Sequence, residues 1–61
     1  MKMKFYQKRG NVGYPVNSEQ DIIDYMGELG YSINSIDILE NGLVIGYIGE
    51  QGITLGHLRD D

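Results

Sequence analysis

The chain of 61 residues has no cysteine and no tryptophan, and only one proline and one histidine. Without cysteine there can be no disulfide, no thiolate zinc site and no thiol chemistry. His57 alone would leave any metal site dependent on carboxylates. Long apolar runs are also missing: the longest, Leu43-Val44-Ile45, stops at Gly46, far short of the ~20 residues that cross a bilayer. No membrane association is expected. Met1-Lys2-Met3-Lys4 is followed by no apolar h-region, so a cytoplasmic chain without a signal peptide is expected.

Glycine is plentiful, yet the phosphate-binding patterns built on it are absent. A P-loop needs G-x-x-x-x-G-K-[ST], and a dinucleotide fold needs G-x-G-x-x-G opening a helix. The stretch from Gly46 through Gly49 to Gly52 has neither spacing, no helix follows it, and Glu50 would repel an anion. Its glycines read as turns and close strand crossings. Gly10-x-x-Gly13 after Lys8-Arg9 has the spacing of the loop with which KH domains clamp nucleic-acid backbones. That loop joins two helices; here a strand precedes it and an extended proline segment follows, so it reads as a turn. Catalytic groups are equally sparse. A nucleophile–base–orienter set would need His57, a carboxylate and one of Ser18, Ser32, Ser35 or Thr54, and no spacing selects one. The expectation is a non-enzymatic chain without cofactor or metal.

What is present suits a folded domain: 41% hydrophobic and 23% charged residues. Residues 1–61 read as one domain. A chain this short buries only about 60% of its unfolded surface, and with no disulfide or metal to staple it, self-association is the remaining extra source of stability. The net charge of −4 is unevenly spread. Lys2, Lys4, Lys8 and Arg9 precede every acid. All nine acids fall in residues 19–61, with Arg59 the one base among them.

Met1, Met3 and Phe5 alternate with Lys2, Lys4, Tyr6 and Lys8, the period of a half-buried strand. Tyr14-Pro15-Val16 is biased to extended geometry. Asn17 or Ser18 can cap a helix whose first turn holds Glu19 and Asp21. Ile22, Met26 and Leu29, broadened by Ile23 and Tyr25, form its apolar stripe, and Gly30 is placed to end it, with Tyr31 folding back. Gly27 reads either as close approach to a sheet or as fraying. Asn41-Gly42 between apolar runs signals a two-residue hairpin turn. That turn pairs Leu39 with Val44, Ile38 with Ile45 and Ile36 with Tyr47. A further turn at residues 49–52 leads to a strand at residues 53–58, and Arg59-Asp60-Asp61 reads as a frayed tail. The order β-α-β-β-β predicts an α+β fold, one helix packed on one face of a small, largely antiparallel sheet.

The two-residue turn puts Ile36, Ile38, Leu43, Ile45 and Tyr47 on one hairpin face and Leu39, Val44 and Ile48 on the other. One helix can cover only one apolar face. Leu39, Val44 and Ile48 are therefore expected to form a homodimer or partner surface, with the acidic helix residues Glu19, Asp21, Asp24 and Glu28 as a second surface for a basic partner. The function expected is a small protein-binding module of the adaptor or inhibitor kind found in phage and mobile elements. The alternative is a nucleic-acid or anionic-ligand binder using the basic first strand, with Lys2, Lys4, Lys8 and Arg9 and with Tyr6 as a stacking platform, together with the Gly10–Gly13 loop. The low isoelectric point, about 4.6, weighs against nucleic acid.

Overall fold

The computed structural model describes residues 3–10 and 12–60. Their elements are β1 (Met3–Gln7), β2 (Tyr14–Val16), α1 (Glu19–Glu28), β3 (Ser35–Ile38), β4 (Leu43–Ile48) and β5 (Gln51–Asp60). The strands form one antiparallel sheet in the order β2-β1-β5-β4-β3. The expected α+β architecture is present, with the proline segment contributing the short edge strand β2. Pro15 suits that place, because an edge strand can spare the N–H that proline lacks.

Helix α1 begins where the Ser18 Oγ accepts from the Asp21 N–H at 3.4 Å and the Asn17 N–H donates to the Asp21 Oδ2 at 2.7 Å. It ends at Gly30 (φ +101°). There the Gly30 N–H donates to the Gly27 carbonyl and the Tyr31 N–H to the Met26 carbonyl, both at 3.0 Å. This is the Schellman arrangement. Ile22 and Met26 are buried, and Ile23 and Tyr25 pack beside them. Leu29, expected in the stripe, is instead 47% exposed, since it caps the helix after the last covered turn. Gly27 has no atom near its missing side chain, so it makes no close approach to the sheet.

The β3–β4 hairpin differs from expectation by one residue. Ile38 pairs with Val44, Asp37 with Ile45 and Ile36 with Gly46. The Leu39 N–H donates to the Leu43 carbonyl and the Gly42 N–H to the Leu39 carbonyl, both at 2.9 Å. The loop therefore has three residues, Glu40-Asn41-Gly42, and positive φ falls on Gly42 alone (+90°). That is the tight turn followed by a G1 bulge, with Asn41 spared the positive φ a two-residue turn would impose. The Asn41 Oδ1 accepts from the Leu43 N–H at 3.0 Å and holds the loop. Because side chains alternate, a slip of one residue exchanges the two faces.

Val44 is thus 0% exposed and sits in the core with Phe5, Val16, Ile22, Met26, Ile33 and Leu55. It cannot belong to an interface. Leu39 and Ile48 are exposed at 43% and 41%, but Ile48 lies four residues along β4 from Val44, about 14 Å at strand rise. The three residues do not make one patch.

The second turn is also tighter than expected. Ile48 pairs with Gln51, leaving Gly49-Glu50 as a two-residue loop with positive φ at Gly49 only, the II′ pattern. The Asn34 Oδ1 accepts from the Gly49 N–H at 2.7 Å and ties this turn to the segment before β3. Beyond it, β5 runs through Arg59 and Asp60, which pair with Lys4 and Met3, so these two residues are not frayed. A register shift between Val44 and Ile45 places Leu55 opposite the gap. The Leu55 side chain then fills the space over Gly46, where an added Cβ would lie 2.7 Å from Leu55 Cδ1.

Candidate functional site

Phe5 meets the helix edge-on through Tyr25 (centroids 6.2 Å apart), and the Gln7 Nε2 donates to the Tyr25 hydroxyl at 2.9 Å. Odd-numbered residues of β1 therefore face α1, and Lys4 and Tyr6 face away. Register carries this division across the sheet. Arg59 pairs with Lys4, and His57 pairs with Tyr6 on one side and Leu43 on the other. Ile45 lies between Thr54 and Asp37, and Tyr47 between Gly52 and Ser35. No secondary-structure element among the described residues packs on this side.

The uncovered face has two halves. At the β1–β5 end, the Tyr6 and His57 rings stack at 5.5 Å with 13° between planes. The Arg59 guanidinium lies 5.6 Å from the Tyr6 ring centre, a cation–π contact worth about 0.5–1 kcal/mol at an exposed site. Gly13 approaches the same ring so closely that a Cβ there would lie 2.7 Å from Tyr6 Cζ and 2.9 Å from Lys4 Cδ. At the β4 end, Leu43, Ile45 and Tyr47 are half-buried side by side, and Leu39 stands opposite Leu43.

The expected site residues are dispersed. Lys4 joins the uncovered face, Lys8 and Arg9 line a cleft on the other side of β1, and Lys2 lies outside the described residues. Asp21 is occupied in the helix cap, while the Asp24 Oδ1 accepts from the Gln20 Nε2 at 2.9 Å. Glu28 is exposed at the end of α1. The acidic helix and the uncovered face lie on opposite sides of the sheet, so one flat partner surface cannot meet both.

His57 and Arg59 were missed as members of a site. Their alternation in β5 was visible, but pairing of the first strand with the last was not. His57 stands on the central strand, not at an edge. Among the described residues no hydrogen bond joins it to a serine or threonine, and no cluster of three or more metal-ligating side chains occurs. No helix among them is long and apolar enough to cross a membrane.

No protein-family model, no curated protein and no solved structure matches the chain.

Proposed function

We propose that the chain is a small, non-enzymatic, cytoplasmic protein-recognition module that binds a partner through the uncovered sheet face. The observation that carries this reading is the apolar row Leu43, Ile45 and Tyr47 left without a covering element, with His57 between it and Tyr6 and with Lys4 and Arg59 beyond. An apolar centre with a charged edge is the anatomy of a protein interface, and uncovered apolar faces mark interaction sites. Lys4 and Arg59, paired at the β1–β5 end of the face, suit a partner that carries carboxylates at that end.

The test begins with a partner captured from the native host and purified. It should bind the wild-type chain in a defined stoichiometry by calorimetry. Ile45→Asp and Tyr47→Asp should each weaken that binding at least about ten-fold, or 1.4 kcal/mol, with the thermal transition retained. Binding that ignores both substitutions overturns the proposal. Light scattering of the purified chain separates the homodimer version: a doubled mass that Tyr47→Asp restores to 6.9 kDa makes a second copy the partner.

A second reading rests on the Tyr6–His57 stack with Arg59 and Lys4 beside it. A stacked aromatic pair among cations is the kind of platform on which unpaired bases stack. Retention of a labelled oligothymidine at low salt, lost on Tyr6→Ala and Arg59→Glu, would favour it over the protein reading.

A further inference from the structure

The cleft that takes Lys8 and Arg9 is a separate site from the uncovered face. Strand β1 ends at Gln7 opposite Gly56, while β5 begins at Gln51. Residues 51–55 of β5 thus have β4 on one flank and no strand on the other. The Lys8 N–H reaches back to the Leu55 carbonyl at 3.1 Å, and beyond that bond the flank is open. The end of α1 and Tyr31 form the opposite wall. The resulting cleft has a volume of about 370 Å³, at the small end of natural ligand pockets.

Its lining divides by chemistry. Met26, Leu55 and Ile53 make an apolar floor, the first two almost fully buried. Lys8 and Arg9 stand at the rim with the polar groups of Thr54 and Tyr31. Among the described residues no carboxylate lines it, in a chain where acids outnumber bases nine to five.

We infer that this cleft receives the C-terminus of an extended peptide, with its α-carboxylate between Lys8 and Arg9 and an apolar last side chain on the Met26–Ile53–Leu55 floor. Each part has a counterpart on the protein. An open strand flank accepts a further extended segment through main-chain bonds, and a pocket beside it selects a side chain. Paired cations with no competing acid favour a carboxylate, and a bidentate guanidinium–carboxylate pair is among the stronger polar contacts.

The probe is an N-acetylated Gly-Ser-Thr-Val-Leu peptide with a free C-terminus, titrated into isotope-labelled protein and followed by backbone amide resonances. Shifts should concentrate at Lys8, Ile53, Thr54 and Leu55. The C-terminally amidated peptide should bind at least about ten-fold more weakly, and so should the free acid to the Lys8→Glu/Arg9→Glu variant. Retained amide dispersion in that variant shows that the fold survives. Any of four results overturns the inference: equal binding of acid and amide, shifts centred on Tyr6, Ile45 and Tyr47, no binding at millimolar peptide, or octanoate moving the same resonances at equal affinity. The last would make the cleft a site for small amphipathic carboxylates. Shifts centred on Tyr6, Ile45 and Tyr47 would place the peptide on the uncovered face instead; the other three outcomes leave the reading of that face untouched, since its variants lie elsewhere.

Discussion

Gly27 and Gly42 have the same side chain and opposite meanings. Gly27 stands inside α1 with helical backbone sign and open space where a Cβ would go. A glycine there costs roughly 1 kcal/mol relative to alanine through backbone entropy alone. Gly27→Ala should therefore raise stability by about that amount, which in a chain of this size is a rise of roughly 4–8 °C in melting temperature. Gly42 holds φ at +90°, and a Cβ would lie 2.7 Å from the Leu58 carbonyl oxygen. Alanine there meets both the left-handed backbone penalty, about 1–2 kcal/mol, and a collision with main chain that cannot swing aside. Gly42→Ala should lower the melting temperature by at least as much as Gly27→Ala raises it. Thermal denaturation followed by circular dichroism reads both. A Gly27→Ala variant no more stable than wild type would mean that the end of α1 is held by something other than its own propensity.

At the level of the hairpin, one loop residue decides which set of side chains is core. A two-residue Asn41-Gly42 turn would set Ile36 and Ile38 on the same face as Ile45; the three-residue loop sets them on the face of Val44, which is the buried one. Neighbouring substitutions separate the two registers. Val44→Asp places a carboxylate in the fully buried apolar cluster, at a cost of several kcal/mol. A domain of this size commands only about 0.05–0.15 kcal/mol per residue in total, so this variant should show no cooperative unfolding transition. Ile45→Asp lies on the uncovered face and should keep its transition, losing on the order of 1 kcal/mol of partial burial. Urea titrations of the pair give opposite outcomes if the two-residue turn were correct. The same hairpin marks where legibility in the sequence ended. Helix α1, a cap at Asn17 or Ser18, the Gly30 stop, the Met3–Phe5 alternation and the α+β order all rest on local chemistry and could be read directly. That one apolar face would be left uncovered was also legible, because a single helix is present for a hairpin apolar on both sides. Which face it was depended on whether Asn41 accepts positive φ, and the bond between its own side chain and the Leu43 N–H removes the need. The pairing of β1 with β5 joins residues 49 to 57 positions apart. No local pattern announces such a contact, so His57 and Arg59 could not be placed beside Tyr6.

Across the whole molecule, the sheet separates charge only in part: Lys8 and Arg9 lie on the helix side, and Asp37 pairs with Ile45 on the uncovered face. Lys4 and Arg59 lie on the uncovered face, and Glu19, Asp24 and Glu28 are exposed on the helix behind it. The molecule measures 31 × 24 × 21 Å, and that size sets how far one side is felt from the other. At 0.01 M salt the screening length is about 30 Å, so the helix acids act through the full thickness and oppose an acid-rimmed partner approaching the uncovered face. At 0.15 M it is about 8 Å, and the two sides become electrically independent. Charge substitutions on the two sides should therefore respond differently to salt. Arg59→Glu touches the interface itself and should slow association at both ionic strengths, since edge charges act mainly on the on-rate. Glu28→Lys should speed association at 0.01 M salt and leave it unchanged at 0.15 M. Stopped-flow association rates of the two variants with the captured partner, at both salt concentrations, make the comparison. A Glu28→Lys effect that persists at 0.15 M would put the partner on the helix side. The uncovered face would then need another occupant.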